Sequence, residues 1–403
     1  MHAIELKGKT HLLFTLHHSH DANPNTKLLL IVGSVIVVGG SLIYLFVSIQ
    51  ENETNLYVEQ IIAQCGDEPN CAIKALQQLA EREEQNIVLR TFDGIIAKYE
   101  EGGNYCHRQA HHLGMFLYAY TGNLTQSLLH ADQKCGGAVY HGLMINYFLT
   151  QKDPKYTNPR TVNIIEICPE NSENPYALER WQCLHGLGHG LTASYDYDVL
   201  EAVKRCEEFE IRWEQLSCSK GVFMENVDRY YESGTGAFNE DDLLFPCNAV
   251  AVKYAPACYH YHASYLSART DSLIDTFKEC DKIIPEEFVK YCYYGVGRQE
   301  SVSIFDEMGR SLTICQTGQP LYQTYCFSGM VMTLVNNRGT DQGFEFCKIL
   351  PEQFKAECYD GLGKWTSMLY NNVEGRTKEC SKAESQDYFE VCMKASLEDL
   401  ALL

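Results

Sequence analysis

Basic residues are the minority in this chain: 33 Lys plus Arg stand against 53 Asp plus Glu, a formal charge of -20 over 403 residues. That deficit argues against nucleic acid as a partner and against docking on an anionic membrane surface, since both reward clusters of Lys and Arg. The sustained apolar–polar alternation of a half-buried strand is also missing, which leaves an almost wholly α fold. Catalytic signatures are scarce. There is no P-loop, no GxGxxG after a strand and no GxSxG, and the GLGHG stretch lies inside a helix-like segment where phosphate cradling is not expected. HExxH is absent as well, because Arg108 follows His107 and Gly186 follows His185. Two further absences are positional: no cysteine precedes Cys65, and no histidine follows His262.

What is present describes a folding chain, 45% hydrophobic and 21% charged. Its length exceeds one compact core and points to several cores or a repeat array. Leu28 to Val47 are twenty positions without a charge, with only Ser34 and Ser41 clearly polar. Such a helix spans a hydrocarbon core of roughly 30 Å. A cleaved signal peptide is the competing reading, but its apolar region is shorter and ends in a small-residue cleavage site, which SIQENET does not supply. The expectation is therefore a retained signal anchor over residues 28–49. Lys7, Lys9 and Lys27 precede the run while Glu51 and Glu53 follow it, so residues 1–27 should form a cytoplasmic tail and everything after the span should be extracytoplasmic. Cysteines confined to the region beyond the span fit an oxidising compartment. The acceptor triplets at Asn52 and Asn123 are compatible with glycosylation there.

The cysteines act as a ruler. Cys206 and Cys218, Cys247 and Cys258, Cys280 and Cys292, Cys315 and Cys326, Cys347 and Cys358, and Cys380 and Cys392 are each 11 or 12 apart. Steps between pairs are 41, 33, 35, 32 and 33, a period near 33 that predicts an α-solenoid of helix pairs. Each unit reads as one helix ending near the first cysteine, a turn, and a second helix opened by the second cysteine. Gly186, Gly221, Gly295, Gly329 and Gly361 recur three residues after that cysteine. Because Gly costs about 1 kcal/mol in a helix, this register predicts close approach of a neighbouring backbone. Each pair is expected to be a disulfide, bonds between adjacent repeats being the alternative; cysteine-zinc clusters would need closer spacing. Toward the amino end the spacing loosens: Cys168 and Cys183 are 15 apart, Cys106 and Cys135 are 29 apart, and Cys65 and Cys71 bracket a turn. Helices are expected over 72–84 and 86–101, in a membrane-proximal cap spanning 50–103.

The histidines suggest chemistry. CHRQAHHLG puts His107 and His111 four apart on one helical face, and CLHGLGHG does the same for His185 and His189. Two imidazoles at that spacing can share one metal ion. GGAVYHGLM supplies His141 from the intervening segment, and SKGVFMEN supplies Glu225 from the next. On adjacent inner helices these six residues would form a His-rich centre for one transition-metal ion, zinc, iron or copper. His260 and His262, two apart, are expected to be structural, and His130 lies in a turn.

Taken together, CHRQAHHLG, YHGLM, CLHGLGHG and CSKGVFMEN resemble the CHxxxH and HGxGH motifs of exported, Cys-rich helical-repeat proteins of microbes, over roughly residues 104–396. The build also loosely resembles disulfide-stapled, tetratricopeptide-like solenoids, although the Trp-Leu-Gly-Tyr pattern is missing. The resemblance implies an exported architecture and no particular activity. The expected organisation is His-rich repeats over 104–246 and Cys-paired repeats over 247–403. Two functions compete: a membrane-anchored protein with a metal site able to activate water or dioxygen, or a scaffold without chemistry that binds protein or glycan partners, for which 26 Tyr are well suited.

Overall fold

The computed structural model describes residues 54–102, 106–150, 161–170, 174, 176–301 and 308–398. The chain divides into a unit ending at Leu56 and a second unit from Tyr57 onward, and all that follows concerns the second. The expected span, its cytoplasmic tail and Asn52 lie outside the described residues. Among the described residues no helix is long and apolar enough to cross a membrane. Asn123 is exposed, and its side chain caps a one-turn helix, Leu124–Leu128, by accepting from the Gln126 N–H.

The fold is all-α. No strand occurs among the described residues, only an isolated bridge between Asn239 and Asp242. The cap region holds α1 (Pro69–Ala80) and α2 (Gln85–Gly102). The first stops short of the expected residue 84 because the Glu84 carbonyl already accepts from Ile87 and Val88, opening the next helix. The helices that follow are α3 (Cys106–Thr121), α4 (Ala138–Thr150), α5 (Leu178–Ser194), α6 (Val199–Arg205), α7 (Arg212–Ser233) and α8 (Ala255–Arg269). Then come α9 (Leu273–Cys280), α10 (Val289–Ser301), α11 (Met308–Gln316), α12 (Gln323–Arg338), α13 (Thr340–Ile349), α14 (Glu352–Leu369), α15 (Val373–Cys380) and α16 (Gln386–Ser396).

A long-helix row runs α3, α4, α5, α7, α8, α10, α12, α14 and α16, each packed along the next. The shorter helices α6, α9, α11, α13 and α15 pack outside this row. At 7 to 10 residues they are too short to be stable alone. Asp198, Ser272 and Asn372 cap three of them by accepting a backbone N–H in the first turn. A disulfide then ties the end of each short helix into the following long one: 206–218, 280–292, 315–326, 347–358 and 380–392. Cys168–Cys183 and Cys247–Cys258 do the same from irregular segments. Cys65–Cys71 and Cys106–Cys135 complete nine bridges, and no cysteine is free. Closing a loop of this size stabilises by about 3 kcal/mol.

The glycine register has the expected consequence. A Cβ on Gly221 would sit 1.9 Å from the His185 carbonyl oxygen, and one on Gly329 would sit 1.9 Å from that of Tyr294. Gly295 likewise meets the His260 carbonyl and Gly186, less tightly, that of Tyr140, but Gly361 is the exception. Its nearest neighbour would be the Met332 sulfur at 3.6 Å, and the tight position in that helix is Gly363, where an added Cβ would run into the Cys392 carbonyl. The row also curls back on itself. Gln182 on α5 donates to Asn336 on α12, and Asn174 donates to the carbonyl of Met368 at the end of α14.

Candidate metal centre

Successive long helices bring all five predicted histidines together. His141 sits at the middle of the cluster: its ring centroid lies 5.0 Å from His107, 5.9 Å from His111, 4.9 Å from His185 and 4.2 Å from His189. The helices can approach this closely because Gly142 faces the His111 carbonyl, where a Cβ would come within 1.7 Å. His141, His185 and His189 are buried, while His107 and His111 are partly so. One ligand nitrogen from each of His111, His141 and His189 lies within 4.8 Å of the others, a grouping able to hold a metal ion.

The hydrogen bonds around the cluster leave ring nitrogens facing each other without partners. His107 donates its Nδ1–H to the Cys135 carbonyl at 2.9 Å, leaving Nε2 bare. His189 donates Nδ1–H to Glu225 Oε2 at 2.8 Å, again leaving Nε2 bare. Nε2 of His111 and both ring nitrogens of His141 have no partner either. A carboxylate or carbonyl on one imidazole nitrogen fixes the tautomer and directs the other lone pair at a cation. With His185 Nδ1 there are six such atoms in one cluster, and buried polar atoms without partners are costly, so they call for an occupant.

Left-handed backbone delivers the Cys135 carbonyl and the Tyr197 hydroxyl that holds Glu225. Cys135, Gly136 and Gly137 run through φ of 54°, 65° and 74°, which presents the Cys135 carbonyl to His107. Asp196 and Tyr197 take φ of 55° and 64°, which carries the Tyr197 hydroxyl to Glu225 Oε1 at 3.1 Å. Non-glycine residues at such angles store strain, and strain of this kind concentrates at functional sites.

Electrostatics point the same way. Burial holds the imidazoles neutral, with His111 and His185 lowered to about 3 and His141 and His189 well below the usual value. Neutral imidazole is the form that ligates. Burial also pushes the Glu225 carboxyl well up, and a cation on His189 would oppose that shift.

Sequence reasoning missed Asp228. It stands one turn after Glu225 on α7, with a ligand oxygen within 4.8 Å of those of His189 and Glu225. The Glu-x-x-Asp spacing was the available signal. Tyr197 was also missed, and nothing in the sequence marks it. His262 is structural as expected, its Nε2 2.5 Å from the Leu243 carbonyl. His130 pairs with Asp93 at 3.0 Å. His260, by contrast, stands in the wall of a central cavity.

That cavity, 610 Å³ in volume, reveals the logic of the repeat. In six units the residue two positions after the second cysteine lines it: His185, Lys220, His260, Tyr294, Ser328 and Asp360 on α5, α7, α8, α10, α12 and α14; Lys394, at the same place on α16, does not. His107 and His141 line it too, so the imidazole cluster opens onto this space, with His111, His189 and Glu225 behind. No family model, curated protein or solved structure matches the chain.

Proposed function

We propose that this protein is a membrane-anchored, extracytoplasmic α-solenoid whose first repeats hold one transition-metal ion. The observation that carries the reading is the convergence of His111, His141 and His189 from three helices, with bare nitrogens and with His189 oriented by Glu225. An imidazole set with a carboxylate behind it suits zinc, iron or copper. Such an ion supplies Lewis acidity or an activated bound water when present. The chain itself orients His107 and His189 through Cys135 and Glu225, keeps the rings unprotonated by burial, and gives the cluster one open side on the cavity. Nine disulfides support the extracytoplasmic placement. The anchor rests on the apolar run at Leu28 to Val47.

Elemental analysis of the purified full chain tests this. Wild type should carry about one transition-metal ion per chain, and His141→Ala should carry none while keeping its helical circular dichroism. Wild-type protein that takes up no metal when offered zinc, and melts at the same temperature with and without it, would favour the scaffold without chemistry.

A further inference from the structure

The central cavity contains two cations that form no ion pair with a carboxylate, although Arg298 acts at longer range on Asp228. Lys220 lines it from α7 and Arg298 from α10. Among the described residues neither has a carboxylate oxygen within 4.0 Å. The Lys220 ammonium lies 5.4 Å from the Trp181 ring, and the Arg298 guanidinium stacks at 4.6 Å on Tyr261. Arg298 donates from Nη2 to Ser264 Oγ at 2.7 Å, but its Nε–H is buried without an acceptor. His260, between them in the row, likewise has a buried Nε2 without a partner. The acidic residues of the same cavity stand on α14, where Asp360 is matched to Lys364 at 2.8 Å.

Two like charges facing one cavity repel each other, and both depress the His185 and His260 imidazoles. Burial, followed by Arg298, lowers Lys220 to about 8, and burial followed by Lys220 and Arg298 lowers His260. Half-buried cations without an ion-pair partner lose part of their hydration, and an anion seated between them relieves that cost. The rest of the wall is suited to a ring or apolar body, since Trp181, Tyr291, Tyr294 and Trp365 face the same space.

We propose that this cavity is a binding site for a small organic anion, a carboxylate or phosphate ester on an aromatic or apolar body, with its charge on Lys220 and Arg298 and its body against the Trp and Tyr side chains. The ligand then lies beside the open face of the His107, His141 and His185 cluster. The anion site stands on different residues from the metal centre and holds with or without it.

Calorimetric titration of the full-length protein in a neutral detergent, after chelator treatment and again after zinc loading, tests the proposal. The probes are benzoate, phenyl phosphate and the neutral isostere benzamide. At least one anion should bind saturably to the metal-free protein and about tenfold more tightly than benzamide. Lys220→Met should weaken that anion by about tenfold and leave benzamide unchanged. Should Lys220→Met not fold, the wild-type contrast between benzoate and benzamide still decides. Equal binding of benzoate and benzamide, no saturable binding of either anion at millimolar concentration, or an unchanged anion affinity in folded Lys220→Met would overturn the proposal. An anion that binds only after zinc loading would also overturn it, by placing the charge on the metal. Failure of zinc to bind at all would count against the metal centre and not against the anion site.

Discussion

The two halves of the row are built alike and equipped differently. From α5 to α16 the scaffold repeats the same cysteine brace, and glycines let backbones touch in both halves. Yet the residue two positions after the second cysteine changes from His185, Lys220 and His260 to Tyr294, Ser328 and Asp360. The brace and the glycines satisfy packing, which every repeat needs, whereas the cavity-facing position is released from packing and free to vary. The imidazoles are concentrated where the early helices converge, and Gln182 on α5 meets Asn336 on α12 across the row.

Perturbations of each half should therefore have different signatures. The largest effect is expected at the buried ion pair of the first half. Glu214 on α7 accepts from Arg180 on α5 at 2.8 Å, and Arg180 also donates to the carbonyls of Cys168 and Pro169. Removing one partner of a buried pair strands the other charge, so Glu214→Ala should cost about 3–5 kcal/mol in denaturant unfolding. Metal uptake should fall with it, because α5 carries His185 and His189. Loss of stability without loss of metal would separate the site from that helix pair.

Next in size is the loss of a bridge in the second half. Replacing Cys347 and Cys358 together by Ala should lower stability by about 3 kcal/mol and leave metal content unchanged. The same change at Cys106 and Cys135 should also weaken metal binding, because the Cys135 carbonyl orients His107. Equal metal retention by both variants would contradict that role.

The smallest effect is acid lability of the metal-free chain. Burial lowers His262 from 6.5 to about 4 and His260 well below the usual value. An unfolded imidazole takes up its proton near 6.5 while the folded ones resist, so the unfolded state binds more protons and stability falls as pH drops from about 6.5 toward 4. By about pH 5.5 the loss from His262 alone is on the order of 1 kcal/mol. Hydrogen exchange should report opening first in α3 to α8, since no histidine follows His262. Uniform opening along the row would remove the contrast between the halves.

Much of this was legible in the sequence, for a physical reason. Cysteine spacing reports covalent braces at fixed positions on a repeated helix pair, and a glycine at fixed register reports backbone contact; both signals are local. The i, i+4 histidines on α3 and α5 announced their shared faces, and His141 followed by alignment with His185. The cavity was not legible, because it depends on how far the row curls, a sum of small rotations that no single unit encodes. Lys220 and Arg298 look like ordinary surface cations until α7 and α10 bring them to one enclosure. Tyr197 reaches Glu225 only through a left-handed turn that its sequence does not signal.

The claim at the centre is that imidazole nitrogens hold the ion while every cysteine sulfur is committed to a disulfide. X-ray absorption at the zinc edge of the zinc-loaded full chain tests it most directly. The first shell should fit histidine nitrogens at about 2.0–2.1 Å with no sulfur. A sulfur shell near 2.3 Å, or a shell of oxygen alone, would contradict the account.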